Sequence, residues 1–373
     1  MMFFRVISKV RIISKVRANG ISDLQGAFGS QNAFDWRQSS RVASLHKQSG
    51  VALISVLLIF AIAAVLATRM MSQGSLQAEQ ASLYQQQKQL EAYGLGAESY
   101  AIALLKEDWR QDQSAGDQAY DHPSESWGQL DLFPLDADMG GGEQDQIRLR
   151  ILPLDGFFNL NNLLKAESGQ LDTVYISGLR RLLAAQQLPE GLADQTLDWI
   201  DSNTIPTGLT GSEDNDYLLK TPPYRSANQL LLDTDELALL NGASQEELYR
   251  FSEQVVALPG NTTLNINAAN PEALAALLAI SPEQAKQLLT GIEYTPVVSV
   301  SEFLSERALD PNLAALLTLR SRFFMVSTQI DWQDQRFGLT TWLERDLDTG
   351  MIHILQRRFQ PVAQSRFQRG EIL

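Results

Sequence analysis

No cysteine occurs anywhere in the 373 residues. That excludes disulfides, thiolate metal ligands and cysteine nucleophiles. Histidine is scarce too. His46, His122 and His353 stand far apart with no ligand spacing, which argues against a histidine-based zinc centre. Basic residues are the minority, 30 against 44 Asp and Glu, for a formal net charge of −14. Such a chain is poorly suited to general nucleic-acid binding, which needs Lys and Arg to neutralise phosphates. Apolar residues, by contrast, make up 44% of the chain, enough for a real core and too many for wholesale disorder. The length suits about two or three domains at roughly 100–200 residues each.

The charge is unevenly spread. Residues 1–50 hold eight Lys and Arg against two Asp, a balance of +6, which leaves −20 for residues 51–373. A basic leader before an acidic body is a targeting pattern. Between the two lies an uncharged run of 18 residues, Val51 to Thr68, whose polar members are Ser55 and Thr68. As a helix it would be ~27 Å long, close to the ~30 Å hydrocarbon core of a bilayer. Arg37, Arg41, His46 and Lys47 precede it and Arg69 follows, so the N-terminal side is expected to stay cytoplasmic. A buried core helix would show a polar face, which this run lacks. A cleaved secretory signal would offer a small-x-small site, and Ala64-Val65-Leu66-Ala67 is a poor one.

The junction is more informative. Lys47-Gln48-Ser49-Gly50 runs directly into Val51-Ala52-Leu53-Ile54. This resembles a type IV prepilin signal. In that family a membrane peptidase cuts after the Gly on the cytoplasmic side, and the apolar helix is kept as the mature N-terminus. The resemblance implies processing between Gly50 and Val51, with methylation of the new amine. The sequence departs from the common pattern in its 50-residue leader, in Val51 as the first mature residue, and in Ser55 where most pilins carry Glu.

Beyond the apolar run, Leu76, Leu83, Leu90, Ala97 and Leu104 recur every seven residues, with Tyr93 and Tyr100 one turn aside. The spacing predicts one stripe of a long helix to about Trp109, its upper half packed on a sheet. Residues 112–145, rich in Gly, Asp and Ser, read as a surface loop with a Gly140-Gly141-Gly142 run. Ile147 to Ile151 alternates with period two and reads as a strand. Phe323 to Ile330, Phe337 to Glu344 and Met351 to Phe359 follow near the C-terminus, the last two flanking the turn signal Asp348-Thr349-Gly350. Between these strands the pattern is mostly helical. Helices are expected over 171–186 and 190–200, and Asn270-Pro271 and Ser281-Pro282 mark two helix starts. Asn159-Leu160-Asn161 and Asn265-Ile266-Asn267 echo each other, read as strand ends whose Asn side chains bond turn backbone. The expected division is a leader (1–50), a membrane and amphipathic helix (51–110), a β domain from 111–162 and 321–373, and a helical insertion (163–320).

A long N-terminal helix on a small antiparallel sheet resembles the pilin fold, an α+β class. The junction without Glu, the two Asn segments and Trp199-Ile200-Asp201 with its acidic loop, in that order, resemble the K minor pseudopilin family of the type II secretion system. The resemblance covers nearly all of residues 45–373. It implies a non-enzymatic subunit that caps the pseudopilus tip with I and J subunits, and a prepilin peptidase as processing partner. It also implies one membrane pass through a bacterial inner membrane with the body in the periplasm.

From Leu182 to Leu219 there is no Lys or Arg, while Glu190, Asp194, Asp198, Asp201, Glu213, Asp214 and Asp216 fall in the same stretch. Calcium takes six to eight oxygens, and clustered carboxylates repel unless a cation sits among them. The candidate ligands are Asp198, Asp201, Asn203, Glu213, Asp214 and Asp216. The spacing is not that of an EF-hand, and a solvated acidic surface is the alternative. The family resemblance adds to the calcium reading. Two other functions compete. Asn265 to Leu289 resembles a helix-hairpin-helix DNA-binding motif, but its turn, Ile280-Ser281-Pro282, has no Gly, and Lys286 is the lone base between Arg250 and Arg307. A hydrolase using Asp198 and Asp201 lacks a nucleophile–base pair or glycine elbow.

Overall fold

The computed structural model describes residues 49–129, 132–134, 145–332 and 335–360. The leader before Ser49, the Gly140-Gly141-Gly142 run and the segment after Gln360 lie outside the described residues. Helix α1 (Ser49–Ala115) is the first element. The sequence permits its length, because the first proline of the chain is Pro123. It stops at Gly116, whose φ of +61° suits glycine. In chain order there follow β1 (Leu132–Pro134), β2 (Gln146–Pro153) and β3 (Phe158–Asn159), then α2 (Thr173–Ala185), α3 (Gly191–Ile200) and the short α4 (Asp214–Tyr217). Next come α5 (Gln245–Ser252), β4 (Val255–Val256), β5 (Leu264–Asn265), α6 (Pro271–Leu278), α7 (Pro282–Leu289) and α8 (Val300–Glu306). The chain closes with β6 (Leu317–Thr318), β7 (Phe323–Trp332), β8 (Gln335–Arg345) and β9 (Ile352–Gln360). This is the α+β, pilin-like arrangement expected from the sequence, with helices concentrated between β2 and β7.

The main sheet has the order β1-β2-β7-β8-β9, antiparallel throughout. Its middle strand β7 is covered on both faces, which explains its continuous apolar start, Phe323-Phe324-Met325-Val326. Phe324 and Val326 point to one side, where they meet Leu149, Ile151, Leu343 and, on α1, Ala101 and Leu105. Phe323 and Met325 point to the other, against Leu154, Phe157, Val256 and Leu258 of the insertion. The insertion therefore leaves the sheet at Pro153 and returns at Phe323, between two neighbouring strands whose ends are in register, Pro153 opposite Phe324. It has its own core, in which Phe158, Leu179, Leu183, Trp199, Tyr217, Leu274 and Phe303 are all buried.

Two expectations are refined. The upper part of the seven-residue stripe does meet the sheet, with Leu90 buried and Tyr93, Ala97 and Leu104 packed against its cores, but the stripe is not the centre of the contact face. Leu76 and Leu83 are 56% and 51% exposed, Tyr100 is exposed, and Ala97 and Leu104 are only half-buried. The buried line runs Leu90, Gly94, Glu98, Ala101, Leu105, Asp108, Asp112, in steps of three and four. Leu76 and Leu83 are exposed together with every residue of α1 from 75 to 85, before the part of the helix that meets the sheet. The segment expected to be a surface loop also contributes Trp127, which is fully buried and meets Phe324 edge-on at 5.6 Å between ring centroids.

The hairpin after β8 is held against α1. Trp109 Nε1 donates to the Leu347 carbonyl at 2.9 Å. Gly350 turns with φ +69°, and a Cβ there would come within 2.5 Å of the Trp109 ring.

Candidate functional site

The N-terminal part of α1 is long and apolar enough to cross a membrane, and Leu53, Ile54, Phe60 and Ile62 on it are exposed. Its one interior hydroxyl near the end, Thr68, donates to the Ala64 carbonyl at 2.8 Å, which satisfies it without water. Gly50 and Val51 lie in the first turn of this helix, which starts at Ser49.

The acidic loop is built on α3. Asp194, Asp198 and, just past its C-terminus, Asp201 sit three and four residues apart, on one face. Residues 207–211 fold back over that face. The Thr207 N–H donates to Asp198 Oδ1 at 2.9 Å, and the Thr210 hydroxyl to Asp194 Oδ2 at 2.6 Å. The approach is close enough that a Cβ at Gly211 would lie 2.2 Å from Asp198 Oδ2. Glu213 then enters from the far side of the loop, and its Oε2 accepts from the Ser226 hydroxyl at 3.0 Å. Trp199, Tyr217 and Tyr224 pack ring on ring beneath.

Three of the six candidate ligands have raised carboxyls. Burial pushes the carboxyls of Asp198, Asp201 and Glu213 above the usual range. The charge of Asp198 raises Asp201 further, and Glu213 is raised by both. Asp198 Oδ2, Glu213 Oε1 and the Tyr217 hydroxyl are buried without a hydrogen-bond partner. Asp201 is already engaged within the loop, its Oδ1 accepting from the Asn203 N–H at 3.0 Å, and so are the other three. Asn203 Oδ1 accepts from the Ile205 N–H, Asp216 Oδ2 accepts from the Glu213 N–H, and Asp214 accepts from Ser226 and from Arg225 Nη1 at 2.9 Å. The region is also less free of bases than the sequence implies. Arg225 reaches Asp214, and Arg180 reaches Asp194 at 2.8 Å, both from just outside the basic-free run. Buried oxygens with unfilled lone pairs and raised carboxyls fit a hard divalent cation.

A second acidic group went unrecognised in the sequence. Among the described residues, Asp108, Asp121 and Glu125 bring ligand oxygens within 4.8 Å of one another. A cation already lies there: the fully buried Arg345 places Nη1 2.8 Å from Asp108 Oδ2 and Nη2 2.5 Å from Asp121 Oδ1. The group ties α1 to β8 and, through the bond from Asn265 Nδ2 to the Asp121 carbonyl, to the insertion. The helix pair α6–α7 has its turn donors engaged, with the Ser281 N–H on Gln284 Oε1, and Lys286 pairs with Glu272 at 3.6 Å.

Comparison with known proteins adds the following. The model of the type II secretion system protein K family, first domain, matches residues 156–260. Type II secretion system protein K of Pseudomonas aeruginosa is 32% identical over 83% of this chain and 92% of its own length. The protein K of Aeromonas hydrophila is 27% identical over 83% and 96%, and that of Klebsiella pneumoniae 30% over 84% and 97%. Among solved structures, the GspK-GspI-GspJ complex of enterotoxigenic Escherichia coli matches with a TM-score of 0.62 at 21% identity, over 76% of this chain and 99% of that one. That likeness shows the pilin-like fold. The sequence relatives show more: this chain belongs to the type II secretion system protein K family of minor pseudopilins.

Proposed function

We propose that this chain caps the tip of a pseudopilus, anchored by α1 in the bacterial inner membrane with its body in the periplasm, as a structural subunit without catalytic activity. The observation that carries the reading is the insertion of 169 residues, Leu154 to Arg322, hung from one end of the sheet. Such a mass fits a filament end, where no further subunit must stack above it. Ser55 supports the same reading. A carboxylate in lipid is costly unless paired, and a subunit with no neighbour above has no partner to offer it. The neighbours are minor pseudopilins of the I and J kind, in keeping with the solved complex whose K chain shares this fold. Site-specific cross-linking tests the position. Contacts to I and J at one end of the filament are expected, and a ladder of self-contacts along it would overturn the tip reading. Ser55→Glu is expected to impair assembly. The prepilin peptidase is expected to cut between Gly50 and Val51, so the mature chain begins at a methylated Val51. N-terminal sequencing that finds a cut near Ala67 instead would end that reading.

The acidic loop is proposed to hold calcium through Asp198, Asp201 and Glu213, with Asn203, Asp214 and Asp216 shaping the loop or completing the shell. The ion would neutralise three crowded carboxylates and cross-link the two ends of the loop. Extracellular-type calcium sites bind at about 0.1–1 mM. At 100 times the dissociation constant, binding to the folded chain alone adds ~2.7 kcal/mol of stability. Calorimetry on the detergent-solubilised chain should show calcium heat that Glu213→Gln abolishes, with magnesium a poor substitute. A melting curve unmoved by both calcium and chelator would leave the loop a plain acidic surface.

A further inference from the structure

The insertion joins the sheet at two chain crossings, after Pro153 and before Phe323, and carboxyls hold both. Asp155, buried just past β2, accepts the Arg322 N–H at 2.9 Å and the Phe323 N–H at 2.7 Å on the same oxygen, Oδ2. Asp121 Oδ2 accepts the Ser321 N–H at 2.6 Å. Three consecutive N–H groups of the returning chain therefore end on side-chain carboxyls, where a strand partner would offer carbonyls. Asn265 Nδ2 completes the joint, donating to the Asp121 carbonyl at 3.0 Å and to the Ser321 hydroxyl at 2.8 Å. Charge at the joint does not balance. Asp108 and Asp112 face it from α1, Asp121 and Glu125 from the segment after α1, and Asp155 from the end of β2. Against these five carboxyls stand two guanidinium groups, Arg345 on Asp108 and Asp121, and Arg320 at 3.6 Å from Asp112. Arg322 is spent on Glu344. Tyr120 and His122 add no charge near neutral pH, since burial raises the first above its usual range and lowers the second below its own. Full ionisation would leave three negative charges uncompensated. Burying such charge is costly, and a carboxyl so placed takes a proton instead. Burial accordingly pushes Asp108 up to about 8 and Glu125 and Asp155 to about 7, and neighbouring carboxylates add to the rise.

We propose that this joint is a proton-operated clasp: protonated, it locks the insertion to the sheet, and ionised, it releases the returning chain while the insertion and the sheet keep their own cores. The two cores are separate, one around Phe158, Leu183 and Phe303, the other around Leu105, Leu149 and Phe324. Once the clasp opens, little is left between them. Phe323 and Met325 meet Leu154, Phe157, Val256 and Leu258, and Arg358 pairs with Asp233 at 2.6 Å. Repulsion drives the release, because oxygens of Asp108, Asp121 and Glu125 lie within 4.8 Å of one another. The set of the insertion on the sheet thereby answers to the pH around the body, whichever compartment holds it.

Hydrogen exchange of the full chain in detergent, read by mass spectrometry across the folded values of these carboxyls, tests the clasp. After correction for the intrinsic base-catalysed rate, the peptide holding Ser321, Arg322 and Phe323 should lose protection about tenfold per pH unit for each proton released. The loss should level off above about 8, where Asp108 titrates. The same peptide should exchange well ahead of peptides from α2 and α6, which report the insertion's own core. Asp108→Asn and Glu125→Gln each fix one position in its uncharged form. Either should reduce the slope by one proton and leave the peptide better protected at high pH than in the natural chain. If one variant fails to fold, the other is read in its place. A peptide whose protection ignores pH overturns the inference, and so does a slope unchanged in the folded variants. Exchange that never runs ahead of α2 and α6 overturns it too, since the joint would then open only when the insertion itself unfolds.

Discussion

Arg345 shows how much one residue can be asked to do. It is fully buried, with its guanidinium on Asp108 and Asp121, on the Ser321 carbonyl at 3.0 Å, and 4.8 Å from the centre of the Phe324 ring. Removing one partner of a buried ion pair leaves uncompensated charge and costs about 3–5 kcal/mol. Arg345→Met should therefore lower the unfolding free energy from urea titration by that much, whereas Arg110→Met, from an exposed pair on α1, should lower it by under ~1 kcal/mol. The same site predicts a pH dependence. Burial, then the charges of Asp121 and Glu125, push the Asp108 carboxyl up to about 8 against the opposing pull of Arg345. Burial and the Asp121 charge push Asp112 up to about 6, and burial takes Glu125 and Asp155 to about 7. A carboxyl raised in the folded state keeps protons that the unfolded chain releases. Its contribution is complete below pH ~4, near the unfolded carboxylate value, and is lost as the pH climbs through the folded value. The melting temperature should thus fall as the pH rises from ~4, the unfolded carboxylate value, to about 8, and level off above the folded values. Asp108→Asn should flatten the upper part of that fall, and an unchanged slope in the variant would show that the proton is held elsewhere.

At the scale of elements, α1 makes the sharpest contrast between pattern and packing. Leu105 is fully buried against the sheet and Leu83 is half exposed, although Leu83 belongs to the regular stripe and Leu105 does not. Leu105→Ala should cost ~2–5 kcal/mol by leaving a cavity, and Leu83→Ala under ~0.5 kcal/mol in the isolated chain. Equal losses in paired urea titrations would restore the seven-residue face. Of the strands, β2 was legible through its alternation and β7 through its continuous apolar start, and the β8–β9 turn because only glycine suits the conformation at Gly350. The helix starts at Pro271 and Pro282 were legible because their caps are local in sequence. The Arg345 site was not, since Asp121 and Arg345 are 224 residues apart and each looks like an ordinary surface charge in its own neighbourhood. Trp127 was hidden for the same reason, its polar flanks masking a contact made by another strand. In the acidic loop the run without bases was plain. What the sequence could not show was that Arg180 and Arg225 return to it from outside, or that Asp198 and Glu213 each keep a buried oxygen without a hydrogen-bond partner.

For the whole molecule, the distribution of charge decides how the chain is mounted. Residues 1–50 carry +6 and residues 51–373 carry −20, with the apolar run at the start of the second part. Positive charge close to a membrane segment holds that end in the cytoplasm, while acidic residues have little influence on the choice. Arg37, Arg41 and Lys47 precede the segment, against Arg69 after it, so the bias is clear despite the acidic body. The absence of cysteine makes the orientation simple to read, because any engineered thiol is unique. Ser305 is exposed on α8, so Ser305→Cys should react with a membrane-impermeant maleimide once the outer membrane alone is permeabilised. Ser44→Cys, followed in cells lacking the processing peptidase so that the leader is kept, should react only after the inner membrane is broken. Replacing Arg37, Arg41 and Lys47 with Gln while adding Ser72→Lys and Gln73→Lys reverses the local balance, and a fraction of the Ser44→Cys chains should then expose the leader thiol first. If the thiol of Ser305→Cys is protected in the natural background, the body is cytoplasmic. A cytoplasmic body would overturn the proposed periplasmic place at a filament tip, whatever its fold.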